Sequence, residues 1–543
     1  MGTALFFSFL GSLVICMALI PPLMASAGRL HILDIPGGRK AHAGSVAKVG
    51  GIALAAGTFI GVLVWAPKDD MVLAGLLGGL IILAFGVWDD RIGLGYQAKF
   101  AGQALAALCV LLYGGVGLSS LPFLPEAWFG PWLGLPLSFL ILLAVTNAVN
   151  LADGLDGLAG GLSLISFAAI AYLAFQNDDL ALMLMVVAIL GGLLGFLRFN
   201  TYPAKIFMGD AGSQFLGFFL GVTGLVLIDG AHGPYSPMLA LFVWGIPLLD
   251  MAGVFGQRLR EGRSPFVGDR NHLHHKLLGR GWSHREAVTW IYAGQVAMVA
   301  TAYALRWQPD WLLAAVYAGA AAVVLSFFVS HGPGSKKSDG SSGPQPETAE
   351  LGWWERHARL AHLPLPVLGI AVSGFLLASV ALPGRIPPDA GAAAALLLAL
   401  LGVAFGFAPH AIPWLVRAGL YVGSSFVLYF GETGRPLSSA GWMEPSTLFL
   451  MVVAGLVMLV MRLNAVRQFE TTPLDSLMLL LALFLPLLPE LHVGEVNLSV
   501  LTAKLIVLFF SFELLLQAYA DRLKLAGLLA GWVLAGITVR AWL

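Results

Sequence analysis

Residues 71–90 read MVLAGLLGGLIILAFGVWDD. Eighteen residues without a charge end abruptly in two adjacent carboxylates, Asp89 and Asp90. A membrane helix needs about 20 apolar residues, so this run reaches across a bilayer and leaves both acids at its end. The same pattern recurs. Apolar runs lie near 3–26, 49–66, 71–88, 99–117, 135–150, 158–175, 180–197, 213–230, 237–256, 288–305 and 311–330. These eleven predicted spans are followed by HGPGSKKSDGSSGPQPETAE at 331–350, whose Gly, Ser and Pro make it a flexible linker. A second apolar block from 364 to the end holds about seven more spans. The reading is therefore an all-α, polytopic integral membrane protein with a first block at 1–330, a linker at 331–363 and a helical C-terminal block at 364–543.

Composition supports this. Of 543 residues, 58% are hydrophobic and 11% are charged. Soluble domains carry about a quarter charged residues, so a soluble enzyme is excluded, and the repeated runs exclude a single anchor. Zero formal net charge argues against a nucleic-acid partner. Cys16 and Cys109 lie inside apolar runs without ligand spacing, so neither a disulfide framework nor a zinc site is expected. The first apolar run has no charged residues before it and no cleavage pattern close behind, so it reads as a retained helix.

The sixty charges are unevenly placed. If loops alternate sides, one side of the first block together with the linker holds nineteen Lys and Arg, including Lys40, Lys48, Lys99, Lys205 and the basic loop 257–287. The other side holds Lys68 and Arg306. Positive residues favour the cytoplasm, which puts the rich side inside and the N-terminus outside. The second block shows no such bias.

The same topology gathers the polar clusters on the cytoplasmic side. Asp89 and Asp90 end one run. Asn147, Asn150, Asp153 and Asp156 end another, in NAVNLADGLDGL. Lys205 and Asp210 precede a third, and Asp269, Arg270, Asn271, His272, His274 and His275 lie in the basic loop. Alone, Asp89–Asp90 reads equally as a solvated helix end, and MGDAGS as a glycine-rich helix entry. Asp153 and Asp156 share a face if their segment is helical. Asp250, inside a run, reads as a partner for Arg258 or a lysine rather than as catalytic. Five carboxylates at one interface repel unless a cation joins them. Oxygen ligands suit Mg²⁺, which binds one or two carboxylates plus substrate phosphates. Nearby cations and histidines suit an anionic substrate, so the cluster reads as phosphoryl or pyrophosphate chemistry.

Five ordered motifs, LDIPGGRKAHAGSVAKVGG, WDD, NAVNLADGLDGL, FMGDAGS and GDRNHLHHKLL, resemble those of the polyprenyl-phosphate N-acetylhexosamine-1-phosphate transferases of glycosyltransferase family 4. They cover most of residues 1–330. The resemblance implies transfer of a HexNAc-1-phosphate from a UDP-sugar to undecaprenyl phosphate at a bacterial inner membrane. The products would be a polyprenyl-diphosphate sugar and UMP. It implies Mg²⁺, with Mn²⁺ as an alternative, held by Asp210 and Asp90. Asp89 or Asp90 would position or deprotonate the lipid phosphate. Asn150, Asp153 and Asp156 would line the nucleotide pocket, with Phe207 stacked on uracil. Lys99, Lys205 and the histidines would hold phosphates. Asp89, Asp90, Asp153, Asp156, His272, His274 and His275 form the expected catalytic set, the histidines through phosphate contact or general acid–base work. Lys40, His42, Asn147, Asp269, Arg270 and Asn271 complete the expected substrate site. A homodimer is a further expectation.

Asp34, Pro36, Arg39, Lys40, His42 and the loop DRNHLHH are similar to the branch that uses UDP-GlcNAc or a related sugar. The branch using UDP-MurNAc-pentapeptide differs at both places. The opening motif departs from its usual form in lacking prolines between His42 and Gly50. The rivals are that peptidoglycan reaction, a proton-coupled transporter, which would place its acids near the bilayer midplane, and an inactive scaffold. The second block shows no such motifs and reads as an accessory domain.

Overall fold

The computed structural model describes residues 2–34, 45–125, 129–229, 234–264, 271–329, 363–380, 386–432, 445–462, 492–493 and 496–542. Among them are eighteen α-helices. Twelve are long and apolar enough to cross a membrane, so the chain is a multi-pass membrane protein. It divides into two compact units, Met1–Lys337 and Ser338–Leu543. All but one residue of the expected linker lies outside the described residues.

The first unit contains α1 (Gly2–Leu30), α2 (Gly50–Trp65), α3 (Asp70–Ile92), α4 (Tyr96–Leu112), α5 (Pro131–Ala152), α6 (Leu158–Gln176), α7 (Leu180–Asn200), α8 (Gly209–Ile228), α9 (Met238–Arg260), α10 (Leu273–Gly279), α11 (His284–Leu305) and α12 (Asp310–Val329). Each of the eleven predicted spans overlaps one of these; only the seven-residue α10 was not foreseen. α8 is the centre of the unit. Every residue from Ala211 to Ile228 is buried, as befits a helix that is apolar all round, and α2, α3, α5, α6 and α9 pack around it.

Two departures from regular helix position the site. α9 bends at Gly245 (φ +34°), just before Pro247. The bend breaks the backbone ladder, which in a membrane must be repaired. Gln295 of α11, fully buried, does so: its Oε1 accepts from the Ile246 amide at 2.8 Å, and its Nε2 donates to Val243 O at 3.0 Å. The second departure corrects a prediction. Asp153 and Asp156 are not on one helix face. α5 stops at Ala152, and residues 153–157 form a turn ending at Gly157 (φ +78°). The glycines at 154 and 157 interrupt the helical pattern that the three-residue spacing assumed.

A short sheet, absent from the sequence reading, ties two motifs together. β1 (Leu33–Asp34) pairs antiparallel with β2 (Val46–Ala47), and Ala47 bridges in parallel to Ile206. Phe207 N donates to Ala47 O at 2.9 Å, and Gly50 N donates to Phe207 O at 3.0 Å. The opening motif is thereby fastened to the entry of α8.

The second unit contains α13 (Pro364–Ser379), α14 (Pro388–Phe407), α15 (Ile412–Glu432), α16 (Pro445–Arg462), α17 (Leu498–Ala518) and α18 (Leu523–Trp542). These are six of the roughly seven predicted spans; residues 463–491 lie outside the described residues. Two ion pairs join α15 to α17: Arg417–Glu513 at 3.0 Å and Glu432–Lys504 at 2.5 Å. Arg417 and Glu432 stand roughly 22 Å apart along the helix axis, so the pairs brace the two helices at two separate heights.

Candidate active site

The site forms where the C-terminal end of α3, the N-terminal ends of α4 and α8 and the C-terminal end of α5 meet. Asp89 and Asp90 are not a solvated helix end: both are buried in the last turn of α3. Asp90 closes the entry of α8. Its Oδ1 accepts from the Asp210 amide and its Oδ2 from the Ala211 amide, each at 3.0 Å. Those amides are free donors of a helix N-terminus, and a carboxylate there also meets the positive end of the helix dipole. Lys48 lies 3.6 Å from Asp90 Oδ1.

Asp89 and Asp210 instead converge on a cation. Lys99 Nζ is 2.5 Å from Asp89 Oδ2 and 3.3 Å from Asp210 Oδ2. Asp89 Oδ1 accepts from the Leu94 amide at 2.6 Å. Asp210 Oδ1 accepts from Asn150 Nδ2 at 2.7 Å, and the same nitrogen donates to Ser213 Oγ at 2.7 Å. Beneath them, Asn147 and Gln103 bond each other, and Gln103 reaches Gln214 Oε1 at 3.0 Å. Asn147 thus supports the site from below. The side chains of Lys48, Lys99 and Asp210 keep 27%, 30% and 27% of their exposure. They form the open side of the cluster.

Of the expected metal pair, then, Asp210 faces the position that collects positive charge, whereas Asp90 has both oxygens occupied by backbone amides. Asp89 is the carboxylate that shares the cation with Asp210. Adjacent acids on one helix point about 100° apart, which sequence alone does not resolve into roles. Among the described residues no three His, Cys, Asp or Glu side chains form a ready metal cage. The donor set does fit Mg²⁺, which is usually held by one or two carboxylates and completed by substrate phosphates. The Lys99 ammonium lodged between Asp89 and Asp210 marks where such charge is favoured.

Asp153 and Asp156 sit on the turn beside this cluster. Asp156 Oδ2 accepts from the Ala204 amide at 2.9 Å, stapling the α5–α6 turn to the α7–α8 loop. Asp153 keeps a partial opening to solvent but lies deep among protein atoms. Burial first, and then the charges of Asp210, Asp90 and Asp156, push its carboxyl up to about 8. Below its ordinary 3.8 both folded and unfolded forms are protonated. Between there and about 8 the folded protein keeps a proton that the unfolded chain has lost, so stability falls as pH rises through that window. Asp153→Asn titrates in neither state. In EDTA its thermal midpoint is expected to match the parent's near pH 4 and to exceed it most near pH 8. A difference that shrinks with rising pH would contradict this account.

The histidines approach the same turn from α10. His274 is buried against Gly154, where any Cβ would overlap its imidazole. Burial, then His275 and His272, push it down to about 3. It is therefore neutral at ordinary pH and has no second proton to donate. Its ring is parallel to that of His272, with centroids 5.7 Å apart, and 4.2 Å from that of His275. His272 is held by Asp250, whose Oδ2 lies 3.0 Å from His272 Nδ1 and whose Oδ1 accepts from the Leu273 amide at 2.7 Å. Asp250 therefore pairs with His272, not with Arg258 or a lysine as the sequence reading had it.

Phe207 is half-buried, and Lys205 is exposed on the loop leading to α8. Asn271 is half-buried just before His272. Lys40, His42, Asp269 and Arg270 lie outside the described residues. Sequence reasoning did not place Gln103 or Ser213 in the site, counted Lys48 only as a cytoplasmic charge, and read Asp250 only as an ion-pair partner. Gln103 was findable: it stands one turn after Lys99 on the same face of a helix that is apolar from there to its end.

Comparison with known proteins gives the family. The model of glycosyl transferase family 4 matches residues 72–228, the stretch from α3 through α8. A Bacillus subtilis (strain 168) protein named probable undecaprenyl-phosphate N-acetylglucosaminyl 1-phosphate transferase is 32% identical over 307 residues, 56% of this chain and 86% of the relative. The undecaprenyl-phosphate alpha-N-acetylglucosaminyl 1-phosphate transferase of Escherichia coli (strain K12) is 32% identical over 316 residues, 56% of this chain and 83% of the relative. The Yersinia pestis protein of that name is 34% identical over 334 residues, 58% and 88% respectively. The chain belongs to glycosyl transferase family 4, the polyprenyl-phosphate N-acetylhexosamine-1-phosphate transferases.

Proposed function

We propose that the chain transfers N-acetylglucosamine-1-phosphate, or a closely related HexNAc-1-phosphate, from a UDP-sugar to undecaprenyl phosphate. It does so at the cytoplasmic face of a bacterial inner membrane, as the first membrane step of an envelope glycan. The observation that supports this best is the convergence of Asp89 and Asp210 on Lys99, with Asn150 bonded to Asp210, at one end of the helices. A transporter's acids would sit near the midplane instead. The excess of Lys and Arg on the same side supports the cytoplasmic assignment. The DRNHLHH loop and the names of the relatives support the GlcNAc branch.

In this reading an oxygen of the lipid phosphate attacks the β-phosphorus of the UDP-sugar. One P–O bond forms there, and the bond from that phosphorus to the bridging oxygen breaks, releasing UMP. Asp210 and Asp89 would hold Mg²⁺, which supplies Lewis-acid stabilisation of the phosphoryl oxygens. Lys99 leaves its carboxylates to neutralise the diphosphate, and Lys48 adds charge from the opening motif. Asn150 orients Asp210 through a single hydrogen bond. Asp90 keeps the entry of α8 rigid, so the reacting groups need not be reorganised during transfer. The second unit is proposed to be an accessory to this chemistry.

The test is UMP release from membranes supplied with polyprenyl phosphate, Mg²⁺ and separate UDP-sugars. Release with UDP-GlcNAc is expected. No UMP from any UDP-HexNAc would overturn the transferase reading. Release only with UDP-MurNAc-pentapeptide would move the protein to the peptidoglycan reaction.

A further inference from the structure

Asp250 lies in α9 beyond the Gly245 bend and is 5% exposed. A buried carboxylate in a membrane helix is costly unless its oxygens are used, and here each has its own partner. Oδ1 accepts from the amide of Leu273, the first residue of α10. Oδ2 faces Nδ1 of His272. An ionised carboxylate can only accept, so the Nδ1 position carries the proton. In a neutral imidazole that leaves Nε2 as the nitrogen able to accept a proton or a hydrogen bond. From His272 the contacts run through the parallel ring of His274 to Gly154, next to Asp153. The bend that places Asp250 is itself held by Gln295.

Building on the transferase reading, we infer that Asp250 is a positioning residue of the reaction: it fixes the tautomer of His272 and anchors the helix bearing His274 and His275 to α9. The competing role is a helix cap alone, and Asp250→Asn separates the two. Asn caps helices about as well as Asp, so its Oδ1 still accepts from Leu273. Its amide NH₂, however, opposes a protonated Nδ1 and drives the proton to Nε2. A carboxylate-to-amide change beside a catalytic histidine damages turnover through the wrong tautomer, as the serine-protease triad illustrates.

In the full-length protein, Asp250→Asn is expected to lower kcat for UMP release from UDP-GlcNAc by about 10- to 100-fold, at or below the lower end of what a general acid–base group itself supplies, as suits a residue acting through another. KM should stay within about twofold if substrate binding is untouched. The loss should not add to that of His272→Ala, because both act through one ring. His272→Asn provides an independent check: its amide still donates to Asp250 but lacks the outer nitrogen, so it should fall as far as His272→Ala. Histidine ¹⁵N spectra should show the His272 proton on Nδ1 in the parent and on Nε2 in Asp250→Asn. Wild-type kcat in Asp250→Asn, or losses that multiply in the double variant, would overturn the inference. Activity of His272→Asn equal to the parent's would do the same. If the parent itself released no UMP, the transferase reading would fail, while the ¹⁵N spectra would still decide whether Asp250 sets the tautomer.

Discussion

Replacing Asp210 with Asn should reduce UMP release by about a thousandfold or more while leaving the fold intact. The backbone amide of Asp210, which donates to Asp90, is unaffected by the change. The new side chain still offers Oδ1 to Asn150 Nδ2. What disappears is one negative charge from the pair that shares Lys99. If that pair holds Mg²⁺, its loss removes several kcal/mol of charge stabilisation. Each 1.36 kcal/mol corresponds to a factor of ten, so about 4 kcal/mol gives the thousandfold estimate. The measurement is turnover against Mg²⁺ concentration, with the thermal midpoint recorded on the same preparation. Parental turnover at limiting Mg²⁺ would mean that Asp210 does not hold the metal.

Much of this site was legible because charge is scarce in the first unit. Asp89, Asp90, Asn150 and Asp210 interrupt runs that are otherwise apolar, so topology alone brought them to one face. Roles were less legible than membership. Asp89 and Asp90 are neighbours in sequence, yet one shares a cation with Asp210 while the other caps α8. That division depends on the rotation of α3 about its axis, and α3 is fixed against α8 by tertiary packing. The fold shows the same limit. Length and hydropathy located each predicted helix of the first unit, because a bilayer sets one length for all of them. The β1–β2–Ile206 bridging leaves no such mark: it is a few backbone hydrogen bonds between segments about 160 residues apart. Asp250 was visible as a charge but assigned to the wrong partner. Arg258 is two turns away on the same helix, whereas His272 comes from another element. Periodicity reports neighbours along a helix and is silent about neighbours across a bend.

The division of labour between Asp89 and Asp90 makes Gly209 a sensitive backbone position in the site. Its φ of +69° favours glycine, and any Cβ would overlap the carboxylate of Asp90. Asp90 cannot easily yield, because it is buried in α3 and bonded to two amides of α8. Gly209→Ala must therefore move either the capping carboxylate or the start of α8, which bears Asp210. A misplacement of about 1 Å at reacting groups costs on the order of a hundredfold, so at least that loss in kcat is expected. The left-handed backbone adds about 1–2 kcal/mol of strain, which should lower the thermal midpoint. The decisive comparison uses Asp90→Ala. If Asp90 acts as the cap, removing its carboxylate makes room for the new methyl group. The double variant should then turn over no more slowly than Asp90→Ala alone, with the backbone strain still lowering its thermal midpoint, and Mg²⁺ dependence should change little in either. If Asp90 is instead a metal ligand, Asp90→Ala should raise the Mg²⁺ requirement steeply, and Gly209→Ala should do so only weakly. Measuring turnover against Mg²⁺ in the three variants distinguishes a carboxylate that holds a helix from one that holds an ion.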